Sequence, residues 1–181
     1  MAVLIRLARA SDAAAIAAIY RRYVEDSRIS FEEAPPDAAE MARRIHGEMP
    51  GYHPWYLVEE DSCILGYAAS TPFRARPSYR WTVETGIYLA EDAMGRGVGR
   101  ALLSTLLATL ERQGYVAAIG AIALPNDASV ALHEKLGFIY AGTYRGVGFK
   151  LGEWLDVGLW EKELAPRSAT PAEPRPYEGL T

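Results

Sequence analysis

The alternation Gly95-Arg96-Gly97-Val98-Gly99 constrains this chain more than any other feature. Upstream of it, Glu84-Thr85-Gly86-Ile87-Tyr88-Leu89 reads as a strand. Downstream, Val98, Leu102, Leu103, Leu106, Leu107 and Leu110 recur on one side of a helix, and Gly114 is placed to end it. Strand, glycine turn and helix in that order build a nest. Backbone N–H groups converge there, and the helix start adds partial positive charge, which suits a phosphate. Glycine is needed where backbone must approach a ligand closely. Two nucleotide motifs are excluded. A P-loop requires Gly-Lys-Ser/Thr at its end, whereas Arg100-Ala101 follows the third glycine. A dinucleotide fingerprint requires an acidic residue about twenty positions on; Ile119-Gly120-Ala121 stands there instead. The implied ligand is therefore a phosphate compound other than ATP or NAD.

A chain of 181 residues with a net charge of −4 reads as one domain and argues against a general nucleic-acid binder. No run of eighteen apolar residues occurs, so no membrane-spanning helix is predicted. His46, His53 and His133 lack ligand-like spacing, so no metal site is expected. The single cysteine, Cys63, falls in a strand-like segment and reads as a buried, inert thiol. One unpaired cysteine without an apolar leader fits a reducing cytoplasm.

Val3 to Leu7 reads as a first strand, followed by a helix that Ser11 or Asp12 can cap, with Ile16, Ile19, Tyr20, Tyr23 and Val24 at helical spacing. Asp37 can cap a second helix carrying Met41, Ile45 and Met49, which Pro50-Gly51 ends. Trp55–Glu60 and Cys63–Ser70 read as strands joined by a polar turn, and a long strand follows from Trp81 to Leu89. After the glycine turn and its helix, Val116–Leu124 is a nearly continuous apolar run, as in a strand buried on both faces. Pro125-Asn126-Asp127 opens a helix that stops at Gly137, and Phe138–Tyr144 and Leu155–Leu164 read as the last strands. This order predicts a mixed sheet with helices on its faces, an α/β or α+β class, in one domain over residues 1–164. Residues 165–181, with four prolines among small and charged residues, read as a disordered or flexible arm.

The element order and the loop Met94-Gly95-Arg96-Gly97-Val98-Gly99 resemble the GNAT superfamily of acyl-CoA-dependent N-acetyltransferases, whose loop reads Gln/Arg-x-x-Gly-x-Gly/Ala. Met94 departs at the Gln/Arg position, which removes one possible phosphate contact. Trp81-Thr82-Val83-Glu84, Leu124-Pro125-Asn126-Asp127-Ala128-Ser129 through Glu134, Gly148-Phe149-Lys150 and Trp154-Leu155-Asp156-Val157-Gly158 are similar to its phosphinothricin and methionine sulfoximine acetyltransferase branch. The likeness covers residues 3–164.

That resemblance implies acetyl-CoA as co-substrate. Gly95, Arg96, Gly97, Val98, Gly99 and Arg100 would meet its pyrophosphate. The strand backbone of Ile87, Tyr88 and Leu89 would meet its pantetheine arm, as an added strand does, with Asn126 a further contact. Arg96 and Arg100 read equally as solvated surface residues, and capping alone explains Asn126. Glu84 is the implied general base. Period-two parity sets it with Thr82, Gly86 and Tyr88, away from the apolar face of Val83, Thr85, Ile87 and Leu89. From the residue alone, the plainer reading is a strand glutamate paired with an arginine. An amide of Ile87 or Tyr88 would stabilise the oxyanion. His133 stands where many members carry a tyrosine. It reads as proton donor to the thiolate, as cofactor contact, as a group that orients Glu84 through water, or as a structural histidine.

The branch places substrate contacts at Glu84, Thr85 and Gly86 and in the connection holding Arg74, Ala75, Arg76 and Tyr79, where two arginines suit an anionic group. A solvated basic loop is the alternative there. Phe31 would wall the pocket or pack in the core. The implied function is direct transfer of acetyl to the α-amine of a small amino-acid-like substrate in a ternary complex, with no metal, nucleic acid or membrane, by a homodimer joined through the apolar final strands. Acetylation of a protein N-terminus or an antibiotic amine, and a non-catalytic acyl-CoA sensor, are the alternatives.

Overall fold

A computed structural model describes residues 3–179. Residues 1–2 of the expected domain and residues 180–181 of the expected arm lie outside them. Seven strands form one mixed sheet: β1 (Val3–Leu7), β2 (Trp55–Glu60), β3 (Cys63–Pro72), β4 (Thr82–Leu89), β5 (Ala117–Leu124), β6 (Ile139–Lys150) and β7 (Glu153–Glu163), in the order β1-β2-β3-β4-β5-β7-β6. Among the described residues only the β4–β5 pair is parallel. The helices are α1 (Ala13–Glu25), α2 (Ala38–His46), α3 (Val98–Gln113) and α4 (Asp127–Lys135).

Strand alternation divides the apolar side chains between two cores. Adjacent residues show it: Leu57 packs with Ile16, Tyr20, Tyr23 and Met41 of α1 and α2, while Val58 packs with Leu102, Leu103 and Leu106 of α3. The apolar stripe read from the sequence for α3 is buried along its whole length. Val83 and Ala118 lie on the α3 face, and Tyr88 on the α1 face.

Local chemistry explains most element ends. Asp37 caps α2 by accepting from the Glu40 N–H (2.7 Å), and Asn126 caps α4 by accepting from the Ser129 N–H (3.2 Å). Several expectations need correction. Asp12 holds the N-cap position of α1, but its carboxylate turns back to the Arg9 N–H (2.8 Å) and pairs with Arg6 (2.8 Å). The partly buried Arg6 on β1 outcompetes the cap. Helix α2 ends at Gly47 (φ 70°), before Pro50-Gly51, so Met49 lies beyond the helix and is exposed. Cys63 begins β3 beside a tight turn and is exposed, because the strand enters the core only at Leu65. Strand β6 runs on past Tyr144 to Lys150 through register shifts, which the glycines at 142, 146 and 148 had hidden.

Residues 165–178 are not a free arm in this structure. Trp81 Nε1 donates to the Ala172 carbonyl (2.8 Å), Arg80 pairs with Glu173 (2.7 Å), Pro174 is buried, and the Arg175 N–H donates to the Gln113 carbonyl (2.7 Å). Proline-rich composition lowers the entropy of an extended segment as readily as it forbids a core. The partners here, the Trp81 indole N–H, the Arg80 guanidinium and the Gln113 carbonyl, come from distant parts of the chain.

Candidate active site

Strands β4 and β5 pair only at Thr82↔Ala117, Val83↔Ala118 and Glu84↔Ile119, although they run on to Leu89 and Leu124. They splay after Glu84. Beyond that point β5 stays paired to β7 on its other side, and β4 to β3. The inner edges therefore face a slot. At Leu89 the edge is filled: its N–H donates to the Tyr23 hydroxyl (3.2 Å), and its carbonyl accepts from the same hydroxyl (2.6 Å). Backbone direction alternates, so Ile87 turns its N–H and C=O to the same edge as Leu89, while Tyr88 turns its own to β3.

The glycine loop stands at the end of this slot, between the 3-10 turn Glu91–Ala93 and α3. Gly95 (φ 74°) and Gly97 (φ 80°) lie in the left-handed region, and a Cβ built on either meets no atom within 4 Å. Their backbone thus faces open space, as a cradle for a large anion requires. Gly99 is different: its Cβ would lie 3.1 Å from Leu89 Cδ1, so it lets α3 close on the end of β4. Arg96 is engaged by Glu60 (2.7 Å), Arg100 is exposed, and Val98 is buried.

Glu84 leaves the sheet on the α1 face into a cavity of about 490 Å³ shared with Trp55, Tyr67, Tyr88 and Thr85. That size suits an amino-acid-like ligand. The carboxylate is half-buried and makes no hydrogen bond or ion pair among the described residues, so the expected arginine partner is absent. Burial raises its pKa above the ordinary carboxylate value. Thr85 turns to the opposite face and donates to the Ile119 carbonyl (3.4 Å). Gly86 and Ala121 leave room on the cavity floor.

The cavity also takes residues that sequence reasoning missed. Arg44 of α2 reaches it, held by Glu32 (2.7 Å) and Glu40 (2.8 Å), and Glu32 accepts from the Tyr20 hydroxyl (2.9 Å). Met49 and His53 form another wall. The Nδ1 of His53 is buried without a protein partner. Only the i, i+4 spacing of Glu40 and Arg44 was visible beforehand.

Phe31, Arg74, Ala75, Arg76 and Tyr79 do not line this cavity. The Phe31 ring lies against the backbone at Gly148 of β6. Arg74 donates to the Tyr144 hydroxyl (3.2 Å) and sits over the Phe73 ring, 5.0 Å from its centroid. Arg76 is exposed, with no side-chain partner among the described residues, in the connection that leaves the cavity rim at Thr71 and Pro72. His133 is also apart from Glu84. It packs on Gly120, where a Cβ would come within 2.8 Å of Nε2, and Gly120 shares the α3 face with Ala118 and Ile122. It therefore cannot orient Glu84 from the same cavity. Its Nδ1 lies 2.8 Å from the Ser129 carbonyl, an acceptor only, so Nδ1 carries the proton. Nε2 is left buried without a partner, and burial lowers the pKa of the ring.

Among the described residues no group of three or more His, Cys, Asp or Glu could hold a metal ion, and no helix is long and apolar enough to cross a membrane.

Residues 5–159 match the family described as "Acetyltransferase (GNAT) domain". The chain is 37% identical over 177 residues to phosphinothricin N-acetyltransferase of Streptomyces viridochromogenes, covering 98% of this chain and 94% of that protein. It is 34% identical over 173 residues to the L-methionine sulfoximine/L-methionine sulfone acetyltransferase of Pseudomonas paraeruginosa, covering 94% and 100%. The solved structure of a phosphinothricin acetyltransferase from Sinorhizobium meliloti, in complex with acetyl-CoA, superposes with a TM-score of 0.88 at 36% identity, covering 99% and 96%.

Proposed function

This chain belongs to the GNAT acetyltransferase family, and on that premise we propose that it transfers acetyl from acetyl-CoA directly to the α-amine of a small amino-acid-like substrate. Methionine sulfoximine, methionine sulfone and phosphinothricin are the first candidates. The names of the relatives support that class. The observation that carries the reading is Glu84: a half-buried carboxylate without a partner, at the mouth of a slot between two strands.

Acetyl-CoA supplies the activated acetyl group. The residues present fit it. The open backbone at Gly95 and Gly97, with the start of α3, suits the pyrophosphate. The free edge at Ile87 suits an extended amide chain. Arg100 adds exposed charge beside the loop, whereas Arg96 would first have to leave Glu60. Asn126 acts through the cap of α4.

An α-amine is mostly protonated at neutral pH, with a reference pKa of about 7.7–8.0. Glu84 takes that proton and frees the lone pair for attack on the thioester carbonyl; the C–N bond forms, the tetrahedral intermediate breaks its C–S bond, and coenzyme A leaves as a thiolate that takes up the proton shed by the new amide nitrogen. Its raised pKa brings it nearer the amine, which favours the transfer. The Ile87 N–H, turned to the slot, donates to the developing oxyanion; Tyr88, whose backbone faces β3, is the weaker candidate. His133 is neutral and its Nε2 is closed off against Gly120, which supports the structural reading over a proton-donor role. Arg76, unpartnered beyond the cavity rim, supports capture of the substrate's anionic group. The single, unpaired Cys63 supports a reducing, cytoplasmic setting. The apolar face of the β6–β7 hairpin supports a homodimer.

The test is thiol release from acetyl-CoA across a panel of amino acid analogues, protein N-termini and antibiotic amines. Glu84→Gln is expected to reduce turnover by roughly 10²–10⁴-fold, the usual range for acid–base catalysis. A variant with unchanged turnover would remove Glu84 from the role, and acetyl-CoA binding with no thiol release on any amine would replace the enzyme with a sensor.

A further inference from the structure

The cavity around Glu84 has one wall with no regular structure. Residues 47–54 connect α2 to β2 as turn and bend, and Gly47, Glu48, Met49 and His53 line the cavity from this segment. No ladder holds such a wall, so its backbone groups must be satisfied from elsewhere. They are satisfied from behind. The Gly51 carbonyl accepts from the Tyr177 N–H (2.8 Å). The Tyr52 carbonyl accepts from Gln113 Nε2 (3.0 Å) and from the Tyr115 hydroxyl (3.2 Å). Gln113 is fully buried at the end of α3, and it grips the last residues twice. Its carbonyl accepts from the Arg175 N–H (2.7 Å), and its Nε2 donates to the Arg175 carbonyl (2.9 Å). Pro176 rests on Gly51, where a Cβ would come within 3.2 Å of the proline ring. The Trp81 and Arg80 contacts to Ala172 and Glu173 fix the other end of the segment.

We propose that residues 172–178, clasped by Gln113, are a strap that holds the 47–53 wall in place and so sets the fit of the amine substrate. Gln113 is then a positioning residue, acting through Gly51 and Tyr52 on Met49 and His53. Glu48 and His53 are the polar residues this wall brings to the cavity. The glycine loop lies at the opposite end of α3 from Gln113, so the acetyl-CoA side is independent of the strap. This inference rests on the amine-acetylation reading of the Glu84 cavity.

Two variants test it: a chain ending at Ala165, and Gln113→Leu, which keeps the buried volume and removes the donors. In each, the KM for the amine is expected to rise about tenfold or more, the size that loss of a few net hydrogen bonds allows. The KM for acetyl-CoA should change by less than about twofold, within ordinary mutational additivity for distant sites. A merely destabilised protein would lose active fraction, hence kcat, with neither KM moved. Hydrogen exchange without any substrate is the second readout, and the Tyr52 amide, which donates to the Met49 carbonyl (3.2 Å) within the wall, should lose protection in both variants. Unchanged protection, an unchanged amine KM, or two KM values rising together would each overturn the strap. Absence of thiol release from the intact chain is a different failure: it ends the acetyl-transfer reading and the claim about fit, and exchange alone still reports whether the tail holds the wall.

Discussion

Glu84 gains its chemistry from where parity puts it. The strand sends Val83 and Thr85 to the α3 core and leaves Glu84 on a cavity, half-shielded and unpaired. Burial without a partner raises its pKa, so the folded state keeps the proton to higher pH than the unfolded chain does. The resulting contribution to stability is full below the unfolded pKa and is lost as pH rises through the folded one. Glu84→Gln removes that loss. In denaturant melts the variant should therefore match or exceed the parent at pH 7.5, with the difference shrinking near pH 4, while turnover collapses. With the amine saturating, the acid limb of kcat should lie above the ordinary glutamate value of about 4.3; a limb at or below that value contradicts a shielded base. Parity was readable in the sequence because it is local. Arg44, Met49 and His53 were not, since the pairing of β2 with β3 carries their segments to Glu84 across the chain. The separation of His133 from Glu84 was likewise invisible until β5 parity was joined to the packing of α4.

At the scale of elements, the sequence is most legible where one residue fixes one hydrogen bond. Asp37 and Asn126 announce their helices, and both cap as expected. The glycine loop announces a nest, and two of its glycines have the positive φ that a nest demands. It also allows conformation and space to be separated. Gly97→Ala places a Cβ in open space but keeps the left-handed φ, at a cost on the order of 1 kcal/mol. The backbone is expected to relax, moving the amides that meet the pyrophosphate. The KM for acetyl-CoA should then rise by about tenfold or more, as 1.4 kcal/mol of lost binding would give, with the amine KM little changed. Isothermal titration with coenzyme A reads the effect directly, and an unchanged Kd would move the phosphate site off this loop. Ends set by tertiary context read less well. Gly47 stops α2 three residues before Pro50-Gly51, and Asp12 gives up its cap to Arg6 on β1.

The whole molecule shows both limits of composition. Four prolines in the last seventeen residues suggested a loose arm, yet their neighbours bond carbonyls and rings at positions 51, 81 and 113, which no window of sequence joins. The apolar surface is the opposite case, a feature that composition hides and topology exposes. Strand β6 is an edge, paired among the described residues only with β7. Along this hairpin Val147, Phe149, Leu151 and Trp154 are 55%, 59%, 55% and 71% exposed, and the Phe149 and Trp154 rings meet at a tilt, 5.3 Å apart across the pair. An edge strand with a contiguous apolar face invites pairing with another chain. Nearby charge does little to discourage it, since Glu153 pairs with Arg28 (3.0 Å) and Lys150 donates to the Ser30 carbonyl (2.5 Å). A second copy is the occupant we propose. Sedimentation at micromolar concentration should then give twice the chain mass. Replacing Phe149 and Trp154 together by Glu should return the monomer, because burying two carboxylates in an apolar interface costs several kcal/mol per ion. The hairpin lies on the far side of β5 from the cavity floor, and both residues are already solvent-exposed, so the substituted chain should keep its folded far-ultraviolet dichroism. A parent that sediments as a monomer, or a doubly substituted chain that stays dimeric, would take the interface away from this hairpin.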